Sequence, residues 1–262
     1  MSLDLFQSVS IIFILIATAV FLLLFFEAGY QIGDYYQSRQ ENKVDTSQGP
    51  MVGGILAMLA FVLALTFSMA ASRFDLRKQN VLKEVNVINK AYLRADLIAH
   101  PYRTEVKRLL REYVDIRLLA VKDKTKFKMA ITRSLELHEL LWTQAMSATE
   151  SNPTKLNPLM IRSINEIIEI HERRLNAALH DRTPGSVWFT LYAIAAFAML
   201  AMGSQAGLTR TRRLIQTIPT VLAFSALITL VAELDRPAHK GQIKISQGAM
   251  FDLQSKMNRA KQ

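Results

Sequence analysis

Four stretches of this chain are free of charged side chains: Ser8–Phe26, Met51–Ala71, Val187–Leu208 and Leu214–Ala232. Each is close to the ~20 residues that a helix needs to cross a ~30 Å hydrocarbon core. A soluble protein of 262 residues rarely needs one such run, and this chain has four. The reading is an all-α polytopic membrane protein with four transmembrane helices and a helical domain between the second and third.

The first run is expected to be retained rather than cleaved as a signal peptide. Asp4 is the only charge before it, so no basic leader precedes it, and Phe25-Phe26-Glu27 is not a small-residue cleavage site. Without cysteine the chain has no disulfide, thiolate metal site or cysteine nucleophile. The net charge of +10 reflects basic residues at helix ends, facing anionic membrane lipid. Lys and Arg are dispersed and no basic-aromatic module appears, so no nucleic-acid partner is expected.

The second run continues into a charged segment that keeps Val81, Leu82, Val85, Ile88, Tyr92 and Leu93 at helical spacing. Gly49-Pro50 and Pro101 punctuate its ends, which predicts one unbroken helix over Pro50–His100 that leaves the membrane as a stalk. Between the first two runs, Glu27–Gln48 reads as polar and turn-rich. Three further amphipathic helices follow the stalk. One opens at Pro101 with Val106, Leu109, Leu110, Tyr113 and Val114 on its apolar face. The next carries Phe127, Ile131, Leu135, Leu141 and Met146, and the last spans Leu156–Leu179. Ser246 is placed to cap a short tail helix bearing Met250, Phe251, Leu253 and Met257, which docks on the central helices. The organisation is 1–72, a first membrane pair; 73–183, stalk and bundle; 184–232, a second pair; and 233–262, a tail.

Lys and Arg near the membrane ends set orientation. Arg73, Arg77, Lys78, Lys83, Arg173, Arg174, Arg182, Arg236, Lys240 and Lys244 outnumber Arg39, Lys43, Arg210, Arg212 and Arg213 on the other side. Both termini and the central domain are therefore expected in the cytoplasm.

Catalytic and cofactor motifs are missing. His138-Glu139 and His171-Glu172 each begin like a zinc-protease helix but lack the second histidine one turn on, and both read as solvated helix faces. Glu166, Glu169 and Glu172 read as partners of ion pairs with nearby arginines. No phosphate-binding glycine loop or nucleophile elbow is present. The expectation is no enzyme, no metal and no cofactor. Within the apolar runs only mild polar residues such as Thr18, Thr66, Ser68, Ser204, Gln205, Ser225 and Thr229 occur, which suit helix–helix hydrogen bonding. Gly29-xxx-Gly33, Gly49-xxx-Gly53 and Gly203-xxx-Gly207 have the spacing that permits close helix contact, and Pro219 is expected to kink the fourth membrane helix. Acidic residues gather at run ends. Asp235 beside Arg236 reads as a local ion pair or as part of a cytoplasmic mouth.

Ala60-Phe61-Val62-Leu63-Ala64-Leu65, followed by Arg73-Phe74, resembles the second membrane helix of bestrophins, including the eight-residue step from Leu65 to Arg73. Val231-Ala232-Glu233 with Pro237 is similar to that family's Ala-Glu…Pro-Phe-Gly region. Asn86…Ala91-Tyr92-Leu93-Arg94, together with Glu233-Leu-Asp235-Arg236-Pro237 and Gly241-Gln-Ile243-Lys-Ile245-Ser246-Gln247, resembles a bacterial bestrophin-like domain family of unknown function. That likeness spans most of the chain. It implies a homo-oligomer, a pentamer foremost, in a bacterial inner membrane, conducting inorganic anions such as chloride. It also implies a neck on the second helix at Ala57, Phe61 and Leu65, which share one face. Thr66, Ser68 and Ser72 then flank the pore, and Arg73, Glu233, Asp235 and Arg236 form its cytoplasmic mouth. Ala57 is small where that neck is bulky. Ala238-His239-Lys240 replaces the family's Phe after Pro237, and the acidic calcium clasp is missing, so calcium gating of that kind is not expected. Two readings from other classes stand beside it: a non-conducting scaffold or sensor whose basic bundle binds a partner, and a MotA- or TolQ-like stator subunit.

Overall fold

In a computed structural model the described residues are 10–39, 49–179, 183–210, 214–236, 243 and 245–259. They form eight α-helices and two three-residue 3-10 turns, with no strand among the described residues. The helices are α1 (Ile11–Arg39), α2 (Gly49–Arg94), α3 (Tyr102–Lys122), α4 (Phe127–Ser151), α5 (Asn157–Leu179), α6 (Gly185–Leu208), α7 (Leu214–Asp235) and α8 (Gly248–Arg259). Four are long and apolar enough to cross a membrane: α1, the first part of α2, α6 and α7. Lys43, Arg182, Arg212, Arg213, Lys240 and Lys244, which enter the orientation argument, lie outside the described residues, as do Pro237–Gln242.

The chain folds as two compact units. The first comprises Met1–Phe74, Arg182–Arg236 and Lys240–Ile243, and the second Asp75–Asp181, Pro237–His239 and Lys244–Gln262.

In the first unit α1 lies alongside α6 because four glycines let the backbones approach. A β-carbon on Gly29 would collide with the Leu200 carbonyl, on Gly33 with that of Ser204, on Gly203 with that of Phe26, and on Gly207 with that of Tyr30. In lipid, where burying apolar surface gives little drive, such close backbone contact holds helices together. The contacts advance together along both helices, so α1 and α6 run parallel. Thr18 Oγ1 and Tyr192 Oη share a hydrogen bond at 3.0 Å on the same seam. Gly53 faces open space instead, so only two of the three glycine spacings make contacts of this kind. Leu59, Leu63 and Ala70 of α2 join Leu22, Phe26, Leu191, Met199, Val221 and Ile228 in one apolar core.

Two boundaries differ from the sequence reading. Residues 27–39, expected as turns, continue α1. Gly29 and Gly33 serve the α6 seam rather than breaking the helix, and Asp34 meets Arg210 at 3.3 Å beyond the end of α6. The long helix stops at Arg94 rather than His100. A 3-10 turn over Ala95–Leu97 follows, and Ile98 is extended ahead of Pro101.

The second unit buries Val85, Ile88 and Tyr92 of α2 against Leu109, Leu110 and Val114 of α3, Leu137 and Leu141 of α4, and Ile164 and Ile167 of α5. The tail helix α8 completes this core with Met250, Leu253 and Met257. Ser246 Oγ accepts from the Gly248 N–H at its start. Gln254 donates to Asp115 at 2.6 Å.

Candidate functional site

The membrane part of α2 has two opposed faces. Val52, Leu59, Leu63, Thr66 and Ala70 are buried at helical spacing. On the opposite side, Ala57, Phe61, Leu65, Ser68 and Ser72 form one exposed line. Phe61 is 64% exposed and Leu65 51%, so among the described residues this face has no partner within a single copy of the unit. At 100° per residue the three residues of the expected neck point together, away from α1, α6 and α7. Ser68 and Ser72 extend the line. Thr66 does not, because it is buried with its hydroxyl donating to the Val62 carbonyl at 2.8 Å. That bond satisfies a hydroxyl that would otherwise be stranded in an apolar interior.

The charged residues at the other end of this helix segment are brought together, with partners other than those expected. Arg73 Nη1 donates to Thr183 Oγ1 at 2.7 Å and lies 3.6 Å from Asp235 Oδ1. Thr183 donates to the same carboxylate oxygen twice, from its backbone N–H at 2.9 Å and its hydroxyl at 2.7 Å. Asp235 therefore pairs across to α2 and to the start of α6, rather than with its neighbour Arg236. Arg236 meets Glu233 at 3.5 Å, and Glu233 accepts from the Ile243 N–H at 3.2 Å. The end of the α2 membrane segment, the start of α6 and the end of α7 thus share one end of the unit. The Thr18–Tyr192 contact and the parallel course of α1 and α6 put the start of α1 there too.

In the second unit the structure reveals a polar centre that the sequence reading missed. Glu84 of α2 is fully buried. Tyr113 Oη donates to its Oε1 at 3.0 Å, Arg117 Nε lies 3.1 Å from that oxygen, and Arg174 Nη1 meets Oε2. His171 Nδ1 is 3.2 Å from Tyr113 Oη, and the rings of His138 and His171 meet edge-on at 4.8 Å. Burial, aided by Arg117, pushes His138 down to about 4, and the same causes with His138 added push His171 down to about 3. Both histidines are buried, which corrects their reading as solvated. Their neighbours gave the signal. His138 stands among Ser134, Leu137 and Leu141, and His171 a turn from Ile167 and Ile168 and two turns from Ile164, on the inward faces of α4 and α5. The flanking carboxylates do form surface ion pairs, Arg162–Glu166 at 3.3 Å and Arg173–Glu169 at 2.6 Å. No cluster of three metal-ligating side chains occurs among the described residues.

A family model described as the bestrophin-like domain matches residues 11–250. No curated protein and no solved structure matches the chain.

Proposed function

Because this chain belongs to the bestrophin-like family, we propose that it is a subunit of an oligomeric membrane channel that conducts inorganic anions. The observation that carries the reading is the exposed, uncharged face of α2, with Ala57, Phe61 and Leu65 in line and Ser68 and Ser72 following. Several copies arranged about an axis, five foremost, would bring that face inward. A ring of Phe61 and Leu65 side chains then forms an apolar constriction that gates by wetting and dewetting. Ala57 makes one level of that neck wide. Arg73 and Asp235 at the shared end of the unit form the mouth, and that end faces the cytoplasm of a bacterial inner membrane. The protein works without a cofactor and without catalysis.

Mass measurement of the purified complex in nanodiscs tests this first. About five copies, together with anion currents that change in Phe61→Ala and Leu65→Ala, are the expected result. A monomer or dimer leaves no axis for α2 to line. It would overturn conduction in favour of a membrane-anchored scaffold whose basic bundle binds a partner.

A further inference from the structure

We propose that the turn between α3 and α4, Val121–Met129, docks on the surface of the membrane that the chain itself spans and holds the headgroups of anionic phospholipids.

The first argument is chemistry. The run Val121-Lys-Asp-Lys-Thr-Lys-Phe-Lys-Met129 has four lysines and one carboxylate, Asp123. Asp123 is engaged locally: it accepts from the Thr125 N–H at 3.0 Å and the Thr125 hydroxyl at 2.6 Å, and Lys126 Nζ stands 3.9 Å away. Lys128 is exposed and has no ion-pair partner among the described residues. Apolar side chains that the bundle leaves uncovered alternate with these charges. Val121 and Met129 are each 47% exposed, and Phe127 is half-buried. Phe251 of α8 is exposed beside them, with Lys122 Nζ 5.3 Å from its ring centroid. Lysines set among bare apolar groups suit a headgroup boundary, where the amines meet phosphates and the apolar groups enter beneath them.

The second argument is place, and it favours a membrane over an acidic protein. α3 runs antiparallel to α2: Lys107 meets Asp96 at 2.6 Å, Arg111 donates to Tyr92 Oη at 3.3 Å, and Arg117 lies 3.1 Å from Glu84. Helices advance 1.5 Å per residue, so the end of α3 at Lys122 comes level with about residue 79 of α2. α5 runs the same way as α3, through Lys90–Glu166 at 3.5 Å and Glu84–Arg174, and its end at Leu179 reaches that level too. The apolar run of α2 ends at Ala71, about 12 Å of helix short of residue 79. α6, a second helix of membrane length, starts six residues after Leu179. The turn therefore stands at the level where α2 leaves lipid and from which the chain returns to it. None of its lysines flanks a membrane helix in sequence, so the fold alone brings them there. Docking of this kind is independent of conduction, and a non-conducting scaffold would show it equally.

The test uses the full chain in nanodiscs. Because the chain has no cysteine, Thr125→Cys carries a single fluorophore at the tip of the turn. A trace of lipid spin-labelled on its headgroup quenches the dye when the turn is docked. Quenching should be stronger in discs of phosphatidylcholine with phosphatidylglycerol than in phosphatidylcholine alone. Raising salt from about 0.1 M to about 1 M shortens the Debye length from about 10 Å to about 3 Å and should move it toward the neutral-lipid value. Each lysine near an anionic surface strengthens docking about fivefold, so Lys122→Gln, Lys126→Gln and Lys128→Gln together should lower the ratio of docked to free turn on the order of a hundredfold. Equal quenching in the two lipids, or no loss in the triple variant, would overturn the proposal and leave an acidic protein as what the turn meets. Should the triple variant fail to fold, the lipid and salt comparisons on the native lysines decide in the same way.

Discussion

Tyr113 donates its hydroxyl proton to Glu84 at 3.0 Å, deep inside the second unit, and that single bond orders the groups around it. Burial raises Tyr113 to about 12, so the hydroxyl stays protonated at any physiological pH and can only donate to the carboxylate. The phenol oxygen is left to accept from His171. Tyr113→Phe removes a donor and an acceptor together while keeping the ring that packs on His138 at 5.2 Å. The expected loss is about 1–3 kcal/mol of stability, read from the denaturant midpoint. No change in midpoint would mean that solvent replaces the hydroxyl.

Glu84 carries a larger effect. Glu84→Gln leaves Arg117 and Arg174 buried without a counter-charge, and breaking one partner of a buried pair costs on the order of 3–5 kcal/mol. Replacing all three by apolar residues of similar size, Glu84→Leu with Arg117→Met and Arg174→Met, should recover most of that loss. Equal instability of the single and triple variants would show that packing, rather than charge, sets the cost.

The imidazoles set an acid limit. In an unfolded chain a histidine takes its proton near pH 6.5, whereas His138 and His171 in the bundle wait until about 4 and about 3. Above pH 6.5 both are neutral in either state, and the bundle keeps its full stability. As pH falls below 6.5 the unfolded chain binds protons that the folded bundle refuses, so stability is lost progressively down to the folded values. At the acid end each histidine contributes a loss on the order of 3 kcal/mol. Unfolding scans from pH 7.5 to 4 should show this slope, and the double variant His138→Gln, His171→Gln should flatten it.

Much of the first unit was legible because lipid demands long uncharged helices and because close helix contact in lipid demands small residues. The four runs and the pairs Gly29/Gly33 and Gly203/Gly207 follow from those demands alone. The partners of Asp235 were not legible. Arg236 is its neighbour in sequence, but Arg73 and Thr183 come to it only when α2, α6 and α7 share an end. The polar centre was hidden for a related reason. Glu84 sits in the inward stripe of α2 between Val81 and Ile88, and Arg174 near the end of the inward face of α5. A charge in an apolar stripe signals burial, yet a single helix cannot say which charge on another helix meets it. The missing second histidine of a zinc motif says nothing about whether His138 and His171 are buried, whereas the apolar residues one turn away from each mark an inward face.

Glycine substitutions separate contact from spacing in the membrane unit. Gly203→Val puts a branched side chain against the Phe26 carbonyl and the Tyr30 amide, both backbone groups that cannot step aside. α1 and α6 must then separate along the seam that also holds the Thr18–Tyr192 hydrogen bond. Loss of folded protein, or a fall of many degrees in the unfolding midpoint, is the expected result. Gly53→Ala has the same spacing partner in sequence, Gly49, but its new β-carbon meets only open space. There the substitution removes a helix-weakening glycine worth about 1 kcal/mol, so the monomeric unit should hold or gain stability. A Gly53→Ala protein that folds normally but no longer assembles in nanodiscs would carry a further message. The open space beside Gly53 would then be occupied by another copy, and the exposed side of α2 would be an assembly surface at that level.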